Sequence, residues 1–375
     1  MTKKIFIIAG EASGDFLGAS LMRDLKTLKP VEFTGIGGPL MTEEGLSSLF
    51  PMRELSIMGL VEVLKHLPLM IRRLNETVDA IAAQQPDMLV TIDSPDFCLR
   101  VAKRVKKKCP NIKIVHYVAP TVWAWRPKRA EKIAKFLDGL LCLFPFEPPY
   151  FTKHGLKAEF AGHPLVKAIG EVTDEQKRQF FETYDLDPNH PVLCMLPGSR
   201  RKEVAALWPV FLKTAEQLRR TMPDLQVILP TLPHLLPLLG EVPSYITLMT
   251  DTTDKYIAFQ CSDVALHASG TVALELALSG VPMVTTYKVN PLTAFVMRRL
   301  VTTRYYNLVN ILHNDAVVPE PVQEECRPEI LSAALQDLLA DPQSRSVQMR
   351  KLVQIRNMLG EPKPLATAKF VENLV

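Results

Sequence analysis

The stretch at 264–284, VALHASGTVALELALSGVPMV, leaves a chain few ways to fold. Val264-Ala265-Leu266 is a short apolar run, and Ser269-Gly270-Thr271 form a small turn after His267 and Ala268. Residues 271–279 then carry Val272, Leu274, Leu276 and Leu278 at helical spacing and stop at Gly280, and Pro282 opens the next apolar run, Met283-Val284. Strand, tight turn, helix, strand is one right-handed βαβ unit, which belongs in a parallel sheet. A glycine-bearing turn at a helix start leaves backbone N–H groups open to an anion. Glu275, one turn further in, is placed to accept hydrogen bonds from a ribose. The competing reading of these residues alone is an ordinary βα turn with Ser269 as its N-cap.

The same alternation runs along the whole chain. Strands are expected at 4–9, 31–36, 88–92, 112–118 and 140–144, with helices at 16–28 and from Pro95 to about 108. Charged, proline-bearing sequence at 171–190 reads as a boundary. The alternation then restarts with strands at 192–196, 225–229, 246–249 and 264–266 and helices at 203–220 and 255–261. The expectation is α/β with two Rossmann-like, doubly wound parallel-sheet domains facing a cleft. The first spans 1–170 (acceptor and lipid side) and the second 190–345 (nucleotide side). Helices at 346–375 pack back on the first domain or on a partner subunit.

Composition narrows the functional class. Lys and Arg number 44 against 40 Asp and Glu, a net charge of +4, too slight to imply wholesale nucleic-acid binding. The six cysteines show no CxxC and no paired spacing, which argues for a reducing cytosol and against a zinc site or a disulfide framework. No apolar run reaches the ~18 residues that span a bilayer, so membrane contact is expected to be peripheral. Gly10, Gly14 and Gly18 do not match G-x-G-x-x-G, which weakens any reading as an NAD-dependent oxidoreductase.

In open parallel sheets, ligands bind at the carboxyl ends of the strands, and every distinctive loop falls there. The second half has the anion-binding turns, Gly198-Ser199-Arg200 with its guanidinium at a helix start and Ser269-Gly270-Thr271 with Glu275. The first half has carboxylates and aromatics: Ser13 and Asp15, then Asp93 and Asp96, then His116, Trp123, Trp125 and Arg126. That division suits a nucleotide-sugar donor on one side and an acceptor on the other. Asp93 at a strand end is the candidate general base, and Arg200 the candidate for neutralising a leaving diphosphate. Either histidine, His116 or His163, is equally readable as a hydrogen-bonded structural residue. Pro95 separates Asp93 from Asp96, so no metal is assigned, and no cofactor is implied.

A helical apolar stripe at 60, 63, 64, 67, 71 and 74 is widened by Met70 and should be kinked by Pro68. Core packing is the ordinary reading of such a stripe. The cations beside it open a second one, docking on anionic lipid through Leu64, Lys65, Leu67, Met70, Ile71, Arg72 and Arg73.

Read in order, AGEASGD at 9–15, IDSPDF at 92–97, HYVAPTVWAWRPKR at 116–129, GHPL at 162–165, LPGSRRKEV at 196–204, ASGTVALE at 268–275 and NL at 307–308 with Asn310 resemble the lipid-A-disaccharide synthases. The match covers nearly the whole chain. It implies a GT-B glycosyltransferase that joins UDP-2,3-diacylglucosamine to 2,3-diacylglucosamine 1-phosphate with inversion. It also implies UDP as leaving group, Asn310 beside the nucleotide, and a cytoplasmic enzyme held peripherally at the inner face of the inner membrane. A homodimer is left open. The alternatives are another GT-B enzyme using UDP-N-acetylglucosamine and a non-catalytic lipid-binding protein at the membrane. The Trp-Ala-Trp-Arg block argues against the first, and a strand-end carboxylate together with a diphosphate turn argues against the second.

Overall fold

The computed structural model describes residues 2–55, 67–251, 253–363 and 365–374. It separates into two units, Met1–Pro164 with Glu361–Val375, and Leu165–Gly360.

The first unit is built on seven parallel strands: β1 (Lys3–Ala9), β2 (Val31–Ile36), β3 (Ser47–Ser48), β4 (Met88–Ile92), β5 (Lys113–Tyr117), β6 (Gly139–Cys142) and β7 (Lys157–Phe160), in the order β3-β2-β1-β4-β5-β6-β7. β1 and β4 are apolar on both faces because helices cover both. Phe6, Ile8 and Leu89 point into one core with Val78, Ile81, Val101 and Val105. Ile5, Ile7, Val90 and Ile92 point into the other with Leu17, Leu21, Met22 and Leu25.

The helix expected from position 60 is described over Leu67–Gln84. Leu74, the last position of the stripe read from sequence, is buried together with Val78 and Ile81, while Leu67 and Ile71 are exposed. Leu64 and Lys65 lie outside the described residues. Helix Pro95–Lys108 begins at its proline and ends on Lys106, Lys107 and Lys108, the charge its carboxyl end favours.

The second unit holds β8 (Val192–Leu196), β9 (Gln226–Pro230), β10 (Ile246–Met249), β11 (Val264–Ala268) and β12 (Met283–Thr286), ordered β10-β9-β8-β11-β12 and all parallel. Each sheet therefore reverses its strand order beside its first strand, between β1 and β4 and again between β8 and β11. The sequence at 171–190, read as a boundary, contains helix Asp174–Thr183 with a complete capping box, Thr173 and Gln176.

The segment after 345 serves both units. Helix Pro342–Leu359 buries Leu352, Ile355 and Leu359, and Arg356 donates to the Val166 and Ile169 carbonyls at 2.8 and 2.7 Å, all within the second unit. Helix Ala366–Glu372 packs against helix Ala12–Leu28 in the first, through Ala368, Phe370 and Val371. Among the described residues, no helix is long and apolar enough to cross a membrane.

Candidate active site

The carboxyl ends of β8 and β11, the two strands flanking the reversal in the second sheet, open on a cavity of about 530 Å³. Gly198, Ser199 and Arg200 line it from the end of β8, and Ser269, Gly270, Thr271 and Glu275 from the end of β11. A crevice at a strand-order reversal is where open α/β sheets bind ligands, because the adjoining loops diverge there. Gly198 has φ +122°, and a Cβ there would come within 2.8 Å of Glu203 Cβ. The backbone can pass over the start of helix Arg201–Thr221 only as glycine. A Cβ on Gly270 would meet nothing within 4 Å, so that residue leaves its side of the cavity open. Of the three helices that line the cavity, Arg201–Thr221 is the long one, with 21 residues, and the positive end of its dipole lies at Arg200.

Both cations in the cavity lining are paired with carboxylates. Arg200 Nη1 donates to Glu203 Oε1 at 2.9 Å, while the Arg200 backbone N–H donates to Glu203 Oε2 at 3.3 Å. Lys255 Nζ lies 2.5 Å from Glu275 Oε2. Sequence reasoning passed over Lys255, Glu203 and Asp251, all of which line the cavity. Lys255 opens a helix rather than ending a strand, so a search of strand ends does not find it.

Asn310, expected beside the nucleotide, lies in the interior of the second unit. It is fully buried, its Nδ2 donates to the Val318 carbonyl and its Oδ1 accepts from the Val318 N–H, both at 2.8 Å. The two bonds tie helix Leu308–His313 to the segment that follows it.

In the first unit, the corresponding reversal lies between β1 and β4. Asp93 follows β4 directly, and its Oδ2 accepts from Ser13 Oγ at 3.2 Å. Asp93 and Ser94 are both left-handed, with φ 51° and 41°, as are Val118 after β5 (φ 78°) and Arg126 (φ 58°). Non-glycine residues in that region are strained, and here the strain gathers along the carboxyl edge of one sheet. Asp93 does not cap the helix after it, since the N-cap is Ser94 and no side chain bonds its amides. Asp96 is nearly fully exposed and faces Arg129 at 3.7 Å.

Three expected acceptor residues turn inward instead. Asp15 is buried and accepts from the backbone N–H groups of Gly38, Leu40 and Met41, capping the short helix Pro39–Glu43. His116 is fully buried with Nδ1 2.8 Å from Thr91 Oγ1, and burial pushes its pKa down to about 3, so it is neutral. Trp123 is buried, edge-on to Phe144 and Phe146, and its Nε1 donates to Glu147 Oε1 at 3.1 Å. Trp125 and Arg126 remain outside that cluster, the guanidinium 4.0 Å from the Trp125 ring centroid.

The docking residues divide likewise. Leu67, Ile71 and Arg72 are exposed, whereas Met70 packs against the core. Arg73 is half-buried, clamped on Glu54 by two bonds of 2.7 and 2.9 Å, on Glu76 at 2.7 Å, and lying over Phe50. Its charge is spent inside the fold. No group of three or more His, Cys, Asp or Glu placed to hold a metal ion occurs among the described residues.

Two doubly wound parallel sheets, each with a reversal of strand order and one with a cavity at it, define the GT-B class of glycosyltransferase fold. Solved structures of that architecture match the full chain. A Staphylococcus aureus MnaA–UDP structure aligns with a TM-score of 0.69 at 14% identity, covering 100% of this chain and 98% of that one. A Neisseria meningitidis UDP-GlcNAc 2-epimerase bound to UDP-GlcNAc aligns at 0.67 and 11%, covering 99% and 98%.

The chain belongs to the lipid-A-disaccharide synthase family, glycosyltransferases of lipid A biosynthesis: the model of the lipid-A-disaccharide synthetase family matches residues 5–373. Lipid-A-disaccharide synthase of Rhodospirillum centenum is 46% identical over 382 residues, spanning 99% of this chain and 94% of that one. That of Ruegeria pomeroyi is 45% identical, spanning 98% and 94%.

Proposed function

We propose that this chain transfers the diacylglucosamine of UDP-2,3-diacylglucosamine to 2,3-diacylglucosamine 1-phosphate with inversion, giving lipid A disaccharide 1-phosphate and UDP. The observation that carries the reading is the cavity between the ends of β8 and β11. It brings together seven residues that the sequence marks for a nucleotide diphosphate, Gly198, Ser199, Arg200, Ser269, Gly270, Thr271 and Glu275. The diphosphate is assigned to the Gly198–Arg200 turn, where amides and a helix dipole meet it, and the ribose to Glu275. Arg200 exchanges part of its bond with Glu203 for the diphosphate as charge grows on the leaving oxygen. The nucleotides in the two structural relatives, UDP and UDP-GlcNAc, fit that assignment.

Asp93 is the proposed general base. It takes the proton of the acceptor's 6-hydroxyl, the hydroxyl oxygen forms its bond to the anomeric carbon, and the bonding pair to the diphosphate departs with UDP. Ser13, bonded to Asp93, orients the carboxylate. An alcohol is a poor nucleophile at neutral pH, so the step needs such a base. Peripheral docking at the inner membrane is assigned to Leu67 and Ile71, neighbours on one helix face with Arg72 beside them.

The test is UDP release from the purified chain supplied with UDP-2,3-diacylglucosamine. Release that requires the acylated sugar phosphate, with a disaccharide phosphate found by mass spectrometry, is the expected result. Release without acceptor, or an epimerised sugar, would overturn the assignment.

A further inference from the structure

Three carboxylates line the donor cavity: Glu203 is bonded to Arg200, Asp251 accepts from the Thr253 N–H, and Glu275, the one assigned to the ribose, is not free to swing. Its side chain is largely buried, and Oε2 faces Lys255 Nζ at 2.5 Å. Lys255 is fixed in turn. It opens helix Lys255–Gln260, its ammonium lies 5.3 Å from the Tyr256 ring centroid and 5.7 Å from that of Phe259, and its side chain is about one third exposed, on the cavity wall. The other cation of the cavity, Arg200, is held by Glu203. Two separate acid–base pairs therefore line one pocket, one at each strand end.

A glutamate in the first turn of a helix has three rotatable side-chain bonds, and it would have to be ordered before it could accept both hydroxyls of a diol. It also stands in the same pocket as the site assigned to a doubly charged diphosphate, and an uncompensated carboxylate there would repel the ligand. A cation on one carboxylate oxygen addresses both difficulties. It orders the group, cancels its charge, and leaves the second oxygen to accept from the ligand. We infer that Lys255 is a positioning residue for donor binding, holding Glu275 in the rotamer that reads the ribose diol. The inference rests on the assignment of Glu275 to the ribose and adds the group that makes that contact possible.

The role makes a distinction that a purely structural ion pair would not make. Binding of UDP and 2′-deoxy-UDP to the full chain is measured by calorimetry for the native protein, Lys255→Met, Lys255→Arg and Glu275→Ala, with melting curves on each. The native protein should prefer UDP over 2′-deoxy-UDP by roughly 10-fold or more, the size of one lost charge-assisted hydrogen bond. Glu275→Ala should lose that preference. Lys255→Met should lose most of it with its melting curve little changed, and Lys255→Arg should restore it. In the double variant, Lys255→Met should add nothing to the loss of preference already caused by Glu275→Ala.

A Lys255→Met protein that keeps the full preference, while Glu275→Ala loses it, overturns the inference and leaves the ribose assignment standing. A preference retained in Glu275→Ala overturns the ribose assignment itself. If Lys255→Met fails to fold, Lys255→Gln and Lys255→Arg decide: a folded Lys255→Gln protein with intact preference also overturns the inference.

Discussion

Glu147 is a carboxylate sealed into the first unit, and its burial has a measurable cost. It is 2% exposed and accepts three hydrogen bonds at 3.1 Å, from Trp123 Nε1 and from the backbone N–H groups of Leu143 and Phe144. Those bonds favour the ionised form, but desolvation outweighs them and raises the pKa from 4.5 to about 7. The folded state therefore holds a proton that the unfolded chain releases between pH 4.5 and about 7. Stability should fall as pH rises through that window, with the full penalty present above it and none below. At about 1.4 kcal/mol per tenfold change in proton affinity, the penalty is roughly 3 kcal/mol.

Glu147→Gln keeps an oxygen for the Trp123 and backbone donors and cannot ionise, but its amide N–H₂ finds no acceptor among those three partners, at a fixed cost of about 1–3 kcal/mol. The native protein should be the more stable of the two at pH 5, and the difference should shrink or reverse by pH 8. For a domain of this size the change in the gap is about 6–12 °C in melting temperature. Thermal unfolding of both proteins from pH 5 to 8 tests this. A gap that stays constant with pH would show that Glu147 does not titrate in the window, and would remove the buried-carboxylate account of how the Trp123 loop is held.

Asn310→Ala should cost about 2–4 kcal/mol of stability, because it leaves the buried Val318 N–H and C=O unpaired, while UDP affinity measured on the folded protein stays unchanged. A selective loss of UDP affinity would return Asn310 to the nucleotide set. Replacing Leu67 and Ile71 with Ser should leave the melting temperature within a degree or two, since both are exposed, and should reduce sedimentation with vesicles containing anionic lipid. Vesicle binding equal to that of the native protein would show that this face does not dock.

What was legible in the sequence was whatever the chain encodes locally. β4 and β8 stand out by apolar density, because strands covered on both faces are buried along nearly their whole length. The turns at 198–200 and 269–271 were visible because each puts a glycine at a strand-to-helix corner, with a steric reason at Gly198. What was not legible depends on partners far along the chain. Asp15 looks like a cleft acid until Gly38, Leu40 and Met41 come to cap on it, and Arg73 looks like a surface cation until Glu54 closes on it. Asn310 and Val318 are only eight residues apart, but nothing local announces a buried amide pair. One miss was avoidable: Thr173 to Gln176 is a capping-box spacing, and it marks the start of the helix that was read as linker.

The account rests most heavily on Asp93, the strained residue that follows β4. Asp93→Asn keeps the size and the Ser13 contact but removes the base. Turnover at saturating donor and acceptor should fall about 10²–10⁴-fold, with UDP affinity by calorimetry within twofold of the native value. Asp96→Asn, altering an exposed carboxylate one residue into the next helix, should keep most activity. An Asp93→Asn enzyme within tenfold of native turnover, or a larger loss in Asp96→Asn, would contradict the assignment.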